Sequence, residues 1–237
     1  MKTIFNQPII NLDKIIDIDP LLAMKPRISA TIANNSEFIR PTKYSSKIAS
    51  GKMGINDYTR AIKETINDNP NKELLEELIA NDTLGTYLLF EEENLAAQGS
   101  FSFTLQYEKG NSVEDSAVKH KFDFVYDWVE SQNIFDEYLR VGFFITWKDT
   151  QTFIHKDWDT DDAEPLDSIH VNFTNDKKLF LIDPETNEKI YLTGYCNWFD
   201  TRNWHGSDPA TRSCYSFRVI GKFKPEFLEK IKSLTAQ

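Results

Sequence analysis

Between about residue 138 and residue 223 the chain breaks into short apolar segments divided by turns, and no helical bundle can use such a pattern. Residues 138–147 and 150–156 read as two strands joined by Lys148-Asp149. Residues 167–173, 178–182, 189–192, 195–200 and 212–223 follow as further strands, with turns such as Asp183-Pro184-Glu185-Thr186-Asn187 between them. Strands this short and this closely spaced close into a sandwich or a barrel.

Strand geometry then selects candidate residues. Side chains two apart share a face, so His155 and Asp157 point the same way from the strand 150–156 and its end. His205 lies fifty residues further on (205 − 155), after the strand 195–200 and a polar turn, where a barrel can bring it opposite the first pair. Two imidazoles and one carboxylate on one face of an octahedron leave three positions open, the arrangement suited to non-haem Fe(II). Two arginines follow, Arg212 and Arg218, of the same strand parity. An inward guanidinium needs an anion, because a buried charge without a partner is costly.

This ordered set resembles the Fe(II)/2-oxoglutarate-dependent oxygenases, whose pattern is His-x-Asp, a histidine some tens of residues later, and an arginine on the last core strand. Here it reads His155, Asp157, His205, with Arg212 or Arg218. The run from Arg212 to Arg218 is also similar to the Arg-x5-Arg strand of the AlkB-like branch, and the stretch Phe199-Asp200 to Gly206-Ser207 to the surroundings of the distal ligand in many members. The resemblance covers roughly the C-terminal 40% of the chain, and nothing before about residue 120 adds to it.

The resemblance implies a mainly β fold, a double-stranded β-helix (jelly-roll) core with packing helices. It also implies Fe(II) on His155, Asp157 and His205, 2-oxoglutarate as co-substrate, and O2. The reaction implied is hydroxylation of an unactivated C–H bond of a small molecule or an amino-acid or peptide side chain, with succinate and CO2 as co-products. The co-substrate arginine follows the distal histidine by about ten residues in many members, whereas the offsets here are seven (212 − 205) and thirteen (218 − 205). The start of the last strand should lie near the turn after His205, which favours Arg212 for the far carboxylate, with Ser216 near the chelated end and Arg218 as the second candidate. Phe143, Phe153 and Trp204 are expected to wall the pocket, and Asp200 or Asn203 to orient the distal imidazole. His170 is expected to be a hydrogen-bonded core or pocket-lining imidazole rather than a ligand.

Charge separates the alternatives. With 27 Lys and Arg against 37 Asp and Glu, the net charge of −10 repels a phosphate backbone and argues against AlkB-like nucleic-acid demethylation. A zinc hydrolase or a non-catalytic barrel binding a small acid can use the same three ligands. Trp158 and the run Asp157, Asp159, Asp161, Asp162, Glu164 and Asp167 read as a solvated loop over the site, or as recognition of a cationic substrate group. No window approaches 18 apolar residues, and Cys196 and Cys214 fall inside apolar segments as free thiols, so a cytoplasmic protein with no membrane association is expected.

The organisation expected is one domain over 1–237. Residues 1–52 form a wrapping extension broken by Pro8, Pro20, Pro26 and Pro41, with basic Arg40, Lys43, Lys47 and Lys52 near its end. Residues 53–138 hold helices starting near Asn56 and Asn71, outer strands at 86–90 and 99–107, and a helix over 122–138. The jelly-roll core spans 139–223, and 224–237 closes as an amphipathic helix carrying Phe227, Leu228, Ile231 and Leu234.

Overall fold

The computed structural model describes residues 5, 7–41, 100–109, 112–146, 151–152, 157, 165–183 and 185–236. The expected helices near Asn56 and Asn71, the strand 86–90, Lys43, Lys47, Lys52, the Lys148-Asp149 turn, Phe153, His155, Trp158 and the acids from Asp159 to Glu164 lie outside the described residues.

Eleven strands and four helices occur among the described residues. The strands are β1 (Ile9–Asn11), β2 (Ile39–Pro41), β3 (Ser100–Lys109), β4 (Ser112–Asp115), β5 (Phe135–Thr146), β6 (Asp167–Asn172), β7 (Leu179–Ile182), β8 (Lys189–Tyr191), β9 (Cys196–Phe199), β10 (His205–Ser207) and β11 (Cys214–Phe223). The helices are α1 (Asp19–Ala23), α2 (Lys25–Ala33), α3 (Asp123–Ser131) and α4 (Pro225–Thr235). The large sheet has the antiparallel order β1-β9-β6-β11-β5-β3-β2, with β4 added to β3, and the small sheet has the order β10-β7-β8. From β6 onward the described chain passes back and forth between the two sheets, which is the winding of a jelly roll, the double-stranded β-helix expected from the sequence.

Alternation gives the large sheet two unlike faces. Phe103, Val141, Phe143, Ile169, Val171, Phe217 and Val219 enter one apolar core. Phe143 packs with its ring centroid 5.4 Å from Phe122 and 5.1 Å from Phe217, and Trp128 of α3 stands 6.4 Å from Phe217. Phe143 was expected to wall the pocket, but its odd strand parity puts it on this helix-covered side, and Phe144 takes the inner face instead. The inner face carries Thr104, Gly142, Arg218, His170, Asn197 and Asn11 in one hydrogen-bonded row across six strands. The next row holds Ser102, Phe144, Ser216 and Asn172.

Two expectations are corrected. The helix expected over 122–138 ends at Ser131, because Asn133 takes a left-handed conformation with φ of 53° and residues 135–138 already belong to β5. In the N-terminal segment, Pro20 and Pro26 start α1 and α2 rather than only interrupting them, since the first helical turn has no use for the missing N–H. The segment is also tied into the large sheet. Ile10 pairs with Trp198, and the Asp13 carboxylate accepts the backbone N–H groups of Tyr195 and Cys196 at 3.0 and 2.7 Å. Gly194, at φ of 73°, supplies the turn that permits this approach.

Cys196 and Cys214 are free thiols, as expected. No described helix is long and apolar enough to cross a membrane.

Candidate metal and anion site

The small sheet delivers His205 and the large sheet delivers Arg218, and Asp157 lies between them. Two described residues before β6 are tied to the segment 201–207: the Ser207 N–H donates to the Thr152 carbonyl at 2.9 Å and the Asp157 N–H to the Thr201 carbonyl at 3.1 Å. This pairing places the Asp157 carboxylate 3.7 Å from His205 Nε2. Two ligand atoms each about 2.1 Å from one ion stand about 3–4 Å apart, so the pair fits a shared metal. His205 is buried and its ring is fixed, because Nδ1 hydrogen-bonds the Asn203 carbonyl at 2.9 Å and leaves Nε2 directed at Asp157.

Asn203 therefore orients the distal imidazole, through its main chain. Asp200 shapes the same turn. Its carboxylate holds Arg202 at 2.6 Å and its backbone carbonyl accepts the Asn203 N–H at 3.1 Å. Among the described residues no group of three His, Cys, Asp or Glu side chains could hold a metal, and the third expected ligand, His155, is outside them.

The two arginines part company. Arg218 Nη2 lies 3.4 Å from the second Asp157 oxygen, and the Arg218 side chain is 13% exposed. Arg212 is 76% exposed and pairs with Asp176 at 2.7 Å. Arg212 stands in the bend before β11, which begins at Cys214, so strand parity does not govern where its side chain points. Ser216 keeps its inward place beside Arg218, and its Oγ is buried without a hydrogen-bond partner, as is Arg218 Nε.

Three further residues escaped the sequence reading. Phe199 forms an apolar wall, with its ring centroid 5.5 Å from His205, 5.9 Å from His170 and 5.9 Å from the Arg218 guanidinium carbon. Lys177, in the β6–β7 turn, is a buried ammonium whose Nζ donates to Thr146 Oγ1 at 2.9 Å. Burial pushes its pKa down to about 8, and no carboxylate opposes the shift. Asn197 is wholly buried, and among the described residues neither atom of its amide finds a partner. Nothing in the sequence marks it beyond its even spacing from Phe199. Trp204, expected as a pocket wall, is half-buried, and its carbonyl accepts the Ile182 N–H at 2.8 Å.

His170 stands in the same row as Arg218, and its Nε2 is 3.2 Å from Asn172 Oδ1. Burial first, then the Arg218 and Lys177 charges, push its pKa down to about 3, so it is a neutral imidazole. What the arrangement can do follows from these parts. A carboxylate and an imidazole can share a cation; Arg218 stands beside them, and the buried Lys177 lies within electrostatic reach of His170. Metal binding together with binding of a small acid fits this chemistry.

Fold and geometry together define a jelly-roll protein with a candidate metal and anion site where Asp157, His205 and Arg218 meet. Among solved structures, the chain overlaps a 2OG-Fe(II) oxygenase family oxidoreductase from Burkholderia pseudomallei over 52% of its own length and 68% of that chain, at 8% identity and a TM-score of 0.39. It overlaps a prolyl-4-hydroxylase from Pseudomonas putida over 53% and 73%, at 11% identity and a TM-score of 0.34. A prolyl hydroxylase from Trichoplax adhaerens, solved with a hypoxia inducible factor peptide fragment, overlaps over 92% and 96%, at 13% identity and a TM-score of 0.37. No protein-family model and no curated protein matches the chain. At these identities and TM-scores, what the chain does rests on its own residues.

Proposed function

We propose that this chain is an Fe(II)- and 2-oxoglutarate-dependent dioxygenase that hydroxylates a C–H bond of a small molecule or an amino-acid or peptide side chain. The observation that carries the reading is the meeting of the Asp157 carboxylate, His205 Nε2 and the Arg218 guanidinium within 3.4–3.7 Å on the inner face. Buried polar atoms without partners lie beside them.

His155, Asp157 and His205 would hold the metal. When bound, Fe(II) with 2-oxoglutarate and O2 supplies the oxidising chemistry, in which the keto acid becomes succinate and CO2 and the substrate gains a hydroxyl group. The chain's own part is placement. Asn203 fixes the His205 ring, and Phe199 excludes water from one side of the site. Arg218 holds Asp157, and its free Nε and the Ser216 hydroxyl offer donors to the chelating end of a keto acid. Lys177 with Thr146 offers a buried cation further along the inner face for the far carboxylate. Once a divalent ion takes up the Asp157 charge, Arg218 and Lys177 need negative charge between them, and a dianion meets that need better than a neutral ligand.

Anaerobic addition of Fe(II) and 2-oxoglutarate tests the reading, because direct chelation of iron by the keto acid gives a visible charge-transfer band. The band should appear in the native protein and vanish in His155→Ala and His205→Ala. A colourless complex, or a band and metal stoichiometry untouched by both substitutions, would rule the reading out.

A further inference from the structure

One inner-face cation has no task in this reading. Arg140 of β5 lies opposite Ile220, one row beyond Arg218 and on the side away from Thr146 and Lys177. Arg140 and Arg218 line one crevice together with Ser102, Thr104, Phe144 and Ile220. Arg140 keeps solvent access, so it stands toward the open side of the site, whereas Lys177 is buried at the other end. Among the described residues Arg140 has no ion-pair or hydrogen-bond partner.

Acids are not scarce in a chain with 37 of them against 27 basic residues, yet among the described residues the two guanidinium groups share one nearby carboxylate, Asp157. Removal from water and then the Arg218 charge lower the Arg140 pKa, and Asp157 alone opposes them. Once a metal takes up the Asp157 charge and the two ends of a keto acid meet Arg218 and Lys177, no negative charge among the described residues remains for Arg140. A guanidinium beside hydroxyl groups in a crevice is a fork ready for an anion.

We infer that Arg140 determines substrate specificity: the substrate carries a carboxylate or phosphate group that Arg140 binds in the crevice beside Ser102 and Thr104. The inference rests on the proposed oxygenase reading and adds the class of its substrate. Two residues along a strand span about 7 Å, so the anion and the carbon to be oxidised sit a few bonds apart in one compact molecule. An anionic metabolite or a chain-terminal carboxylate meets this requirement. An uncharged side chain in the middle of a peptide does not.

The test uses the full chain loaded with Zn(II) and 2-oxoglutarate, which permits binding without turnover. Inorganic phosphate and acetate are titrated separately and followed calorimetrically, and the two arms tell a phosphate preference from a carboxylate one. At least one anion should bind the native protein, at least tenfold more weakly to Arg140→Gln, with partial recovery in Arg140→Lys. The affinity for 2-oxoglutarate should stay within a factor of three in Arg140→Gln. If neither anion binds, or Arg140→Gln binds both as the native protein does, the inference is overturned while the oxygenase reading stands. If Arg140→Gln loses 2-oxoglutarate as strongly as Arg218→Met does, Arg140 belongs to the co-substrate site and the inference is again overturned. If the native protein binds no 2-oxoglutarate in the presence of metal, both fall, and the oxygenase reading falls first.

Discussion

The two faces of the large sheet are built from the same strands and spend burial differently. On the helix side Phe103, Phe143, Phe217, Val219, Ile169 and Val171 are each at most 1% exposed and meet only apolar neighbours in the core. On the inner side Ser216, Asn197 and His170 are also buried, yet among the described residues Ser216 Oγ and both amide atoms of Asn197 have no partner. Buried polar groups without partners reduce stability. The outer face therefore holds the fold together, and the inner face gives up stability to keep polar groups ready for a ligand.

The largest effect should come from breaking the apolar side. Phe217→Ala removes a ring packed between Phe143 and Trp128 and should cost about 3–5 kcal/mol in urea unfolding. A cost under about 1 kcal/mol would mean that the two faces are not divided in this way.

The next effect belongs to the inner side and should appear in binding rather than folding. Arg218→Met should weaken 2-oxoglutarate binding about a hundredfold, or about 3 kcal/mol, with metal affinity nearly kept. Arg212→Ala, which removes an exposed residue paired with Asp176, should leave that affinity within about threefold. The reverse order would restore Arg212 as the anchor.

His170 supplies a smaller effect with a defined sign. Its pKa in the fold is about 3 against an ordinary 6.5, so below pH 6.5 the unfolded chain takes up a proton that the folded chain refuses. Stability should fall on acidification through that window, by about 1.4 kcal/mol per pH unit, or about 2 kcal/mol between pH 6.5 and 5. His170→Gln should remove this part of the slope in denaturant titrations at the two pH values. An unchanged slope would show that His170 is not held neutral.

The smallest effect is the opposite of the first. Ser216→Ala deletes a buried hydroxyl that has no partner and should leave stability unchanged or raise it by up to about 1 kcal/mol, read as a shift in urea midpoint. A clear loss of stability would show that the hydroxyl is satisfied in solution.

The same two-faced alternation explains what the sequence reveals and what it hides. Inside strands, parity is dependable. His170 and Asn172, Ser216 and Arg218, and Phe217 and Val219 fall on the faces that their spacing requires. The turn after β9 and the convergence of His205 with Asp157 were also legible, since both follow from ordered polar residues between apolar runs. Parity fails where a strand has not yet begun. Arg212 and Arg218 look equivalent on paper, but the chain is still bending at residues 211–213, and a bend can turn a side chain anywhere. It fails also at the α3–β5 junction, where an apolar run suits helix and strand alike and the only local sign of the change is Asn133. Phe143 and Phe144 show a third limit: two adjacent aromatics fix that one faces each way, but not which. Lys177 was hidden for another reason, because a lysine in a turn ordinarily points to water and only the tertiary fold buries it.

The row that runs from Thr104 through Gly142, Arg218 and His170 to Asn197 acts as a reading frame. A slip of β11 by one residue would drive Arg218 and Ser216 into a phenylalanine core and turn Phe217 toward the polar inner face, and both changes cost energy, so the slipped register is disfavoured. The irregularities in pairing sit elsewhere, at Thr104/Gln106, Ile220/Gly221 and Lys222/Phe223, past the row that carries the site. Mutational drift that adds or deletes a residue can be absorbed at those outer positions without shifting the frame. The strand ends can diversify while the middle of the sheet keeps its spelling.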